Sequence, residues 1–410
     1  MFQARANDDK NYYIYNQYGD NLMAPIGPVG IIPLLGSTSF SESVNHYLCR
    51  RRTEYQDIKP EIGDLYPGFI RQDYRIKVTN NRFSSGEGKA VIVDTVRGHD
   101  VFIISDVLNF SCTYTMFGVS NHMSPDDHYQ DLKRIILANG GRSRRINVIM
   151  PFLYESRQHK RMTRESLDCA YMLKELFSLG VDNLITFDAH DDRVANAIPT
   201  SGFESIPATY QIIKAMINTI PDLNISEGRL MVVSPDEGGI SRAMYYASML
   251  GVPLGTFYKR RDYTQVVNGR NPIIAHEFLG DSVEGMDILV VDDMISSGES
   301  VLDLARELKN RKANRIFSAV TFALFTDGLD HFHKAYEEGL IDKVFATNLI
   351  YRTPELLAAP WFCDVNMAKF VALLIDAINH DASLSTLIDP TEKIRTLLDN
   401  YRLGQCQITP

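Results

Sequence analysis

Two kinds of apolar pattern alternate along the chain. Short continuous runs, at 91–96, 101–104, 146–150, 184–187, 230–233, 254–258, 288–291 and 315–324, are the length of strands. Between them, at 126–137, 165–179, 210–220, 240–250 and 300–308, apolar residues recur every three or four positions and predict helices. A strand that is apolar at consecutive positions is buried on both faces, which is the habit of parallel sheets. Strands alternating with helices of this length predict an α/β fold in two halves, each a parallel sheet covered by helices on both faces. The cluster Pro199, Gly202, Pro207 and Pro221 places the handover near 200–225. Expected domains are 1–205, 206–365 and a helical segment 366–410.

The segment with most chemistry is Asp287-Ile288-Leu289-Val290-Val291-Asp292-Asp293-Met294-Ile295-Ser296-Ser297-Gly298-Glu299-Ser300. The expected strand ends at Asp292 and Asp293, and a hydroxyl- and glycine-bearing turn then opens a helix. A helix start binds phosphate through unpaired N–H groups and its positive dipole end. The two carboxylates suit vicinal hydroxyls or magnesium instead. Together they describe a pocket for ribose 5-phosphate, with the diol on Asp292 and Asp293 and the phosphate on Ser296, Ser297, Gly298 and Ser300. Strand-acid-turn-helix segments also occur in other nucleotide-binding and response-regulator-like folds, so further segments must decide.

Four do. Val232-Val233-Ser234-Pro235-Asp236-Glu237-Gly238-Gly239 is another strand ending in an acid, and its glycine pair lets backbone approach a diphosphate. Tyr258-Lys259-Arg260-Arg261 puts three cations directly after a buried strand, where a charge run that elsewhere is a solvated face becomes a clamp on polyphosphate. In Thr186-Phe187-Asp188-Ala189-His190-Asp191-Asp192 a histidine among acids at a strand end is a candidate metal or phosphate ligand, whereas a lone histidine is ordinarily structural. Tyr154-Glu155-Ser156-Arg157-Gln158-His159-Lys160-Arg161 follows the strand at 146–150 and can grip a nucleotide.

The 292–300 segment resembles the phosphoribosyl-diphosphate loop of type I phosphoribosyltransferases and ribose-phosphate diphosphokinases. The four other segments, with Phe83-Ser84-Ser85-Gly86-Glu87, extend the resemblance to the ribose-phosphate diphosphokinase family, collinear over about 30–355. It implies two phosphoribosyltransferase-like domains and a C-terminal segment folded back on the first. It implies that Phe83, Glu87, Arg157 and Gln158 hold ATP and that His190 and Asp236 hold Mg2+. Asp236, Asp292, Asp293 and the 296–300 turn would hold ribose 5-phosphate. Lys259 and Arg261 would be catalytic, the 262–270 stretch moving as a flap. The implied reaction moves the diphosphoryl group of ATP to the 1-hydroxyl of ribose 5-phosphate, in a homo-oligomer built from dimers up to hexamers. Departures from the family pattern are Ser85 and His159 in place of polar or acidic residues, serines at 296, 297 and 300, Glu299 in place of glycine, and additional residues before Gly30, at 54–80 and after His380. Two rival readings are a phosphoribosyltransferase, which needs neither ATP element, and a non-catalytic regulatory relative.

The 410 residues are 45% hydrophobic and 23% charged, an ordinary globular balance with room for two or three domains. A net charge of −9 leaves no broad positive field for nucleic acid, and the basic clusters at 50–52 and 142–145 are expected on solvated faces. Five widely spaced cysteines without a Cys-x-x-Cys unit argue for a reducing cytoplasm. No apolar leader is expected at the N-terminus, and the apolar stretch 367–378, interrupted by Lys369 and Asp376, is too short to span a bilayer. It is expected to be core or subunit interface.

Overall fold

The structure is a computed structural model; it describes residues 24–161, 163–261 and 273–404, of which the side chains of 58, 259–261 and 273–276 are excepted. A first sheet contains β1 (Val29–Pro33), β4 (Asp100–Ile104), β7 (Arg145–Ile149), β8 (Asn183–Phe187) and β9 (Gly202–Ile206), all parallel and lying side by side in chain order. Two hairpins stand outside it, β2 (Val78–Arg82) with β3 (Gly88–Ile92), and β5 (Thr113–Met116) with β6 (Val119–His122). The run at 91–96, expected as a sheet strand, is in fact the end of one hairpin: only alternate residues of β3 are half-buried, and Val93 is 60% exposed.

The second sheet has the order β12 (Ile273–Leu279), β11 (Leu254–Arg261), β10 (Leu230–Ser234), β13 (Asp287–Ile295), β14 (Ile316–Ala323), β15 (Lys343–Thr347), β16 (Phe362–Val365). All neighbours are parallel except the edge pair β11 and β12. From β10 the chain builds outward through β11 to β12, crosses back, and builds the other way from β13. The order therefore reverses between β10 and β13, and an open α/β sheet has its ligand crevice at such a reversal, beyond the strands' carboxyl ends.

Helices α1 (Thr38–Ile58), α2 (Pro125–Asn139), α3 (Asp168–Ser178), α4 (Thr209–Thr219), α5 (Ile240–Leu250), α6 (Glu299–Asn310), α7 (Asp330–Glu337), α8 (Ala368–Asn379) and α9 (Thr391–Arg402) cover the sheets. One continuous apolar core runs from Val29 and Val101 through Leu230 and Leu289 to Ile375 and Leu398. Because parallel strands lose both faces to apolar packing, β4, β10 and β14 are buried at every position, the second face of β10 and β14 going to smaller clusters.

The expectation that the basic clusters are solvated holds for Arg50, Arg142 and Arg144, which are exposed, and is corrected for Arg51, Arg52 and Arg145. Arg51 and Arg52 on α1 are buried, with Nε atoms 2.6 and 3.2 Å from the two carboxylate oxygens of Asp376 on α8. Arg145 at the start of β7 holds Asp100 at 2.8 Å. Arg52 also donates to Asn379 Oδ1 at 2.7 Å, and Asn379 donates to Asp100 Oδ2 at 3.0 Å, so α8 is clamped to the first domain by buried ions. The 367–378 stretch is thus core, and its interrupting acid is the clamp. No described helix is long and apolar enough to cross a membrane.

Candidate active site

The carboxyl ends of the two sheets face each other. Asp292 and Asp293 do not end a strand as expected: β13 continues through them to Ile295, paired along β14 at Asp292 with Val320 and at Ile295 with Ala323. Asp293 is buried and its Oδ2 lies 2.7 Å from Nδ1 of His190, which follows β8 of the first sheet. Arg157, from the loop after β7, reaches Sδ of Met294 at 2.8 Å. Sequence-distant candidates from both halves therefore meet on one strand.

Asp236 follows β10, on the other side of the reversal. Its Oδ1 accepts from the amides of Gly238 at 2.9 Å and Gly239 at 3.2 Å, which ties the loop into a tight cup ahead of α5. A Cβ on Gly239 would lie 2.9 Å from Ser234 Oγ and 3.8 Å from Asp292 Oδ1, so glycine here lets backbone pass directly beside the acid pair. After β13, Gly298 has φ +93°, and a Cβ on it would stand 2.2 Å from the Phe332 ring, so both conformation and packing require glycine. The turn is held by Thr326 N donating to Ser296 O at 3.0 Å, and Ser297 Oγ lies 3.5 Å from the amide of Glu299. Helix α6 begins at Glu299, one residue before expectation, and Glu299 and Ser300 are both exposed.

Other candidates stand apart. Gln158 donates to Ser166 O at 2.9 Å and braces its own loop. Phe83, 56% exposed, and Glu87, which accepts from Ser85 Oγ at 2.8 Å, occupy the turn of the β2–β3 hairpin. That hairpin is fixed to α2 by Arg82 and Asp131 at 2.6 Å and to the other hairpin by Phe117 N donating to Ser84 O, not to Arg157 or Gln158. Lys259 and Arg261 lie on β11, which was expected to end near Tyr258 but runs to Arg261, paired with His276 and Ile273 of β12. Their side chains, and the 262–270 flap, lie outside the described residues.

Charge explains the site's behaviour. Burial, reinforced by the neighbouring charge of Asp293, pushes Asp292 up to about 7. Burial would also raise Asp293, but the hydrogen bond from His190 and the Arg242 charge hold it below the usual carboxylate range. His190 is correspondingly raised by its bond to Asp293. Two adjacent carboxylates are thereby shifted in opposite directions, Asp292 up and Asp293 down.

Arg242, which the motif reading did not name, and Asp188, which it quoted only as a strand-end acid without a role, stand beside the acid pair. Arg242 is the third residue of α5, with Nε 3.7 Å from Asp188 Oδ1 and Nη1 4.0 Å from Asp292 Oδ1. A signal existed: a cation in a helix's first turn opposes the dipole, so it needs another reason to be there. Among the described residues no group of three or more His, Cys, Asp and Glu could hold a metal ion. His190 and Asp236, expected as ligands, each have one donor atom uncommitted, Nε2 and Oδ2. Magnesium is usually held by one or two carboxylates together with substrate phosphates rather than by an all-protein cage, and this donor set fits that habit.

A model of the N-terminal domain of ribose phosphate pyrophosphokinase matches residues 39–180, and a model of the phosphoribosyl transferase domain matches 200–345. The ribose-phosphate pyrophosphokinase of Chromobacterium violaceum is 30% identical over 313 residues, covering 75% of this chain and 86% of that protein. Those of Vibrio cholerae and Mycoplasma pneumoniae are each 29% identical over 317 and 319 residues, with 76% of this chain and 90% and 87% of theirs covered. The crystal structure of phosphoribosylpyrophosphate synthetase from Mycobacterium smegmatis shares the fold, with a TM-score of 0.66 at 19% identity over 86% of this chain and 99% of that one. With both family domains in order, and their carboxyl-end loops converging on Asp292 and Asp293, the chain belongs to the ribose-phosphate pyrophosphokinase family.

Proposed function

We propose that the protein transfers the diphosphoryl group of ATP to the 1-hydroxyl of ribose 5-phosphate, giving 5-phosphoribosyl 1-diphosphate and AMP. The observation that carries this reading is the meeting of His190 and Arg157 from the first sheet with Asp293 and Met294 at the reversal of the second. One half of the site offers carboxylates and a glycine turn to a sugar phosphate. The other offers an arginine and a histidine to an anionic nucleotide.

The ribose diol donates to Asp292 and Asp293, and the 5-phosphate accepts from the amides and hydroxyls of Ser296, Ser297, Gly298 and Ser300. ATP lies toward Arg157 and Gln158; the family resemblance assigns Phe83 and Glu87 to it as well, although within one chain their hairpin is fixed to α2 and not to Arg157. The oxygen of the 1-hydroxyl bonds to the β-phosphorus, the bond from that phosphorus to the α-phosphate oxygen breaks, AMP leaves, and the hydroxyl proton is released. Positioning and charge supply the catalysis, since phosphoryl transfer asks little covalent work of the protein. Asp236 and His190 would hold magnesium together with the substrate's phosphates, and a metal bound there would neutralise charge on the transferred group.

Lys259 and Arg261 supply the remaining positive charge. Ser234 at the end of β10 pairs with Thr256, so Lys259 continues about 10 Å further along β11, past the end of the neighbouring strand. Its main chain thus extends past the carboxyl end of β10, the end from which the Asp236 loop leaves. A cation meeting charge that exists only in the transition state raises turnover more than affinity.

AMP release from ATP and magnesium, measured with and without ribose 5-phosphate, tests the proposal. Sugar-dependent AMP supports it; tight sugar binding without AMP release replaces it with a regulatory role, the reading that Ser85 and Glu299 would favour. The family resemblance also implies a homo-oligomer built from dimers in the cytoplasm, and light scattering gives the oligomer's mass.

A further inference from the structure

Arg242 is half-buried beside two carboxylates, Asp188 and Asp292, and within the charge field of a third, Asp293. Asp188 approaches it from the end of β8, and Asp292 and Asp293 from the middle of β13, while Arg242 itself rises from the first turn of α5. Asp188 is a strained residue, with φ +38° where a non-glycine side chain rarely sits. Its Oδ2 accepts from Ala208 N at 3.3 Å and from the hydroxyl of Thr321 on β14, so first sheet, α4 and second sheet all converge on one carboxylate. At 3.7 and 4.0 Å the guanidinium is shared between the acids rather than locked onto either. A half-buried ion without a fork partner gains little stability by itself, because partial desolvation offsets the attraction. Strain and incomplete pairing at one point are what a functional constraint leaves behind.

We propose that Arg242, braced by Asp188, is a positioning residue that holds the acid pair in place for the ribose diol and joins the two domains' halves of the site. This rests on the sugar reading of Asp292 and Asp293. Both acids must face the same diol, although they repel each other and burial penalises both. A guanidinium behind Asp292 offsets that repulsion without touching the sugar, just as His190 does from the side of Asp293. The first sheet contributes through Asp188, which fixes where the guanidinium sits relative to β13.

Calorimetric titration of ribose 5-phosphate and of ATP into wild type, Asp292→Ala, Arg242→Gln, Arg242→Lys and Asp188→Asn tests it. Arg242→Gln is expected to weaken the sugar at least tenfold and ATP less than threefold. Arg242→Lys, which restores the charge, is expected to recover most of the sugar affinity, a rescue that a purely structural role would not show. Asp188→Asn keeps a residue tolerant of positive φ and is expected to weaken the sugar several-fold; if Arg242→Gln does not fold, this variant decides. Loss of sugar binding in Asp292→Ala with wild-type affinity in Arg242→Gln and Asp188→Asn overturns the role of Arg242 and leaves the sugar site standing. Unchanged affinity in Asp292→Ala overturns the sugar site and this inference with it.

Discussion

The two parallel sheets are built from the same pattern and do different work. In the first, β1, β4, β7, β8 and β9 lie in chain order, each crossover moves the same way, and no pair of carboxyl ends is splayed. In the second, β10 and β13 are neighbours although β11 and β12 intervene in the chain, and the crossovers leave that pair in opposite directions. Asp292 and Asp293 lie on one strand of that pair and Asp236 follows the other, at the reversal where an open α/β sheet takes its ligand. The first sheet has no such reversal and lends His190, Arg157 and Asp188 to the second. A ligand site is thus a property of strand order more than of the residues at any one strand end.

That contrast can be broken at its mechanical base. Asp376→Ala would leave Arg51 and Arg52 buried without their counter-ion, and losing one member of such a buried pair costs about 3–5 kcal/mol. Denaturant unfolding should show that loss, with sugar affinity of the folded protein unchanged because the clamp serves the first sheet and not the crevice. A loss below about 1 kcal/mol would mean the clamp is replaceable. Asp376 is held below the usual carboxylate range, since the charges of Arg51, His380 and Arg52 outweigh burial. Its contribution is therefore present above the unfolded carboxylate pKa near 4 and fades as pH falls below that.

Chemistry comes next. Lys259→Ala should lower turnover a hundredfold or more, roughly 3 kcal/mol, with a smaller change in ATP affinity. Steady-state kinetics with both substrates saturating measures this, and turnover within about threefold of wild type would mean that the 259–261 cations only solubilise an edge. Asp292→Ala or Asp293→Ala should each cost the sugar about 1.5–3 kcal/mol of binding and ATP far less. Equal losses for both ligands would instead place the acids at a shared phosphate.

The sharpest control is a strand-end acid on the sheet without a reversal. Asp106 follows β4, is fully buried, and accepts from Leu108 N at 3.0 Å and Tyr351 N at 2.7 Å. Burial pushes it up to about 7. A raised carboxylate means the folded state holds the proton more tightly than the unfolded one, so stability falls as pH rises from about 4 to 7. Asp106→Asn should leave sugar affinity and turnover intact and narrow the gap in Tm between pH 5 and pH 8 by a few degrees, about 2–4 °C per kcal/mol. Loss of sugar binding in this variant would contradict the division of labour between the sheets.

Legibility in the sequence followed burial. The strands at 230–233, 288–291 and 315–324 were legible because both faces are apolar, and 240–250 is a helix at those bounds because its buried face repeats at Ala243, Tyr246, Ala247 and Leu250. Helix α1 hid its nature, since Arg51 and Arg52 occupy buried positions that a periodicity count scores as polar. The edge strand β12 was not anticipated, and β3 was mistaken for a sheet strand because a half-buried hairpin carries the same β-branched residues.

Local chemistry was settled by the chain itself. Two adjacent acids closing an apolar run, a glycine in the turn that follows, and three cations closing another are short-range facts, carried by residues within a few positions of one another, although both strands run on through these residues. Tertiary structure alone decided that Asp293 meets His190 across 103 positions, that Arg157 reaches Met294, and that Arg242 sits between Asp188 and Asp292. It also decided that the Phe83 and Glu87 turn rests on the α2 side of the first domain rather than against Arg157. Strand order causes the difference: periodicity specifies which face a strand buries, but the neighbour it pairs with depends on the packing of every crossover helix at once, and only that choice opens the crevice between β10 and β13.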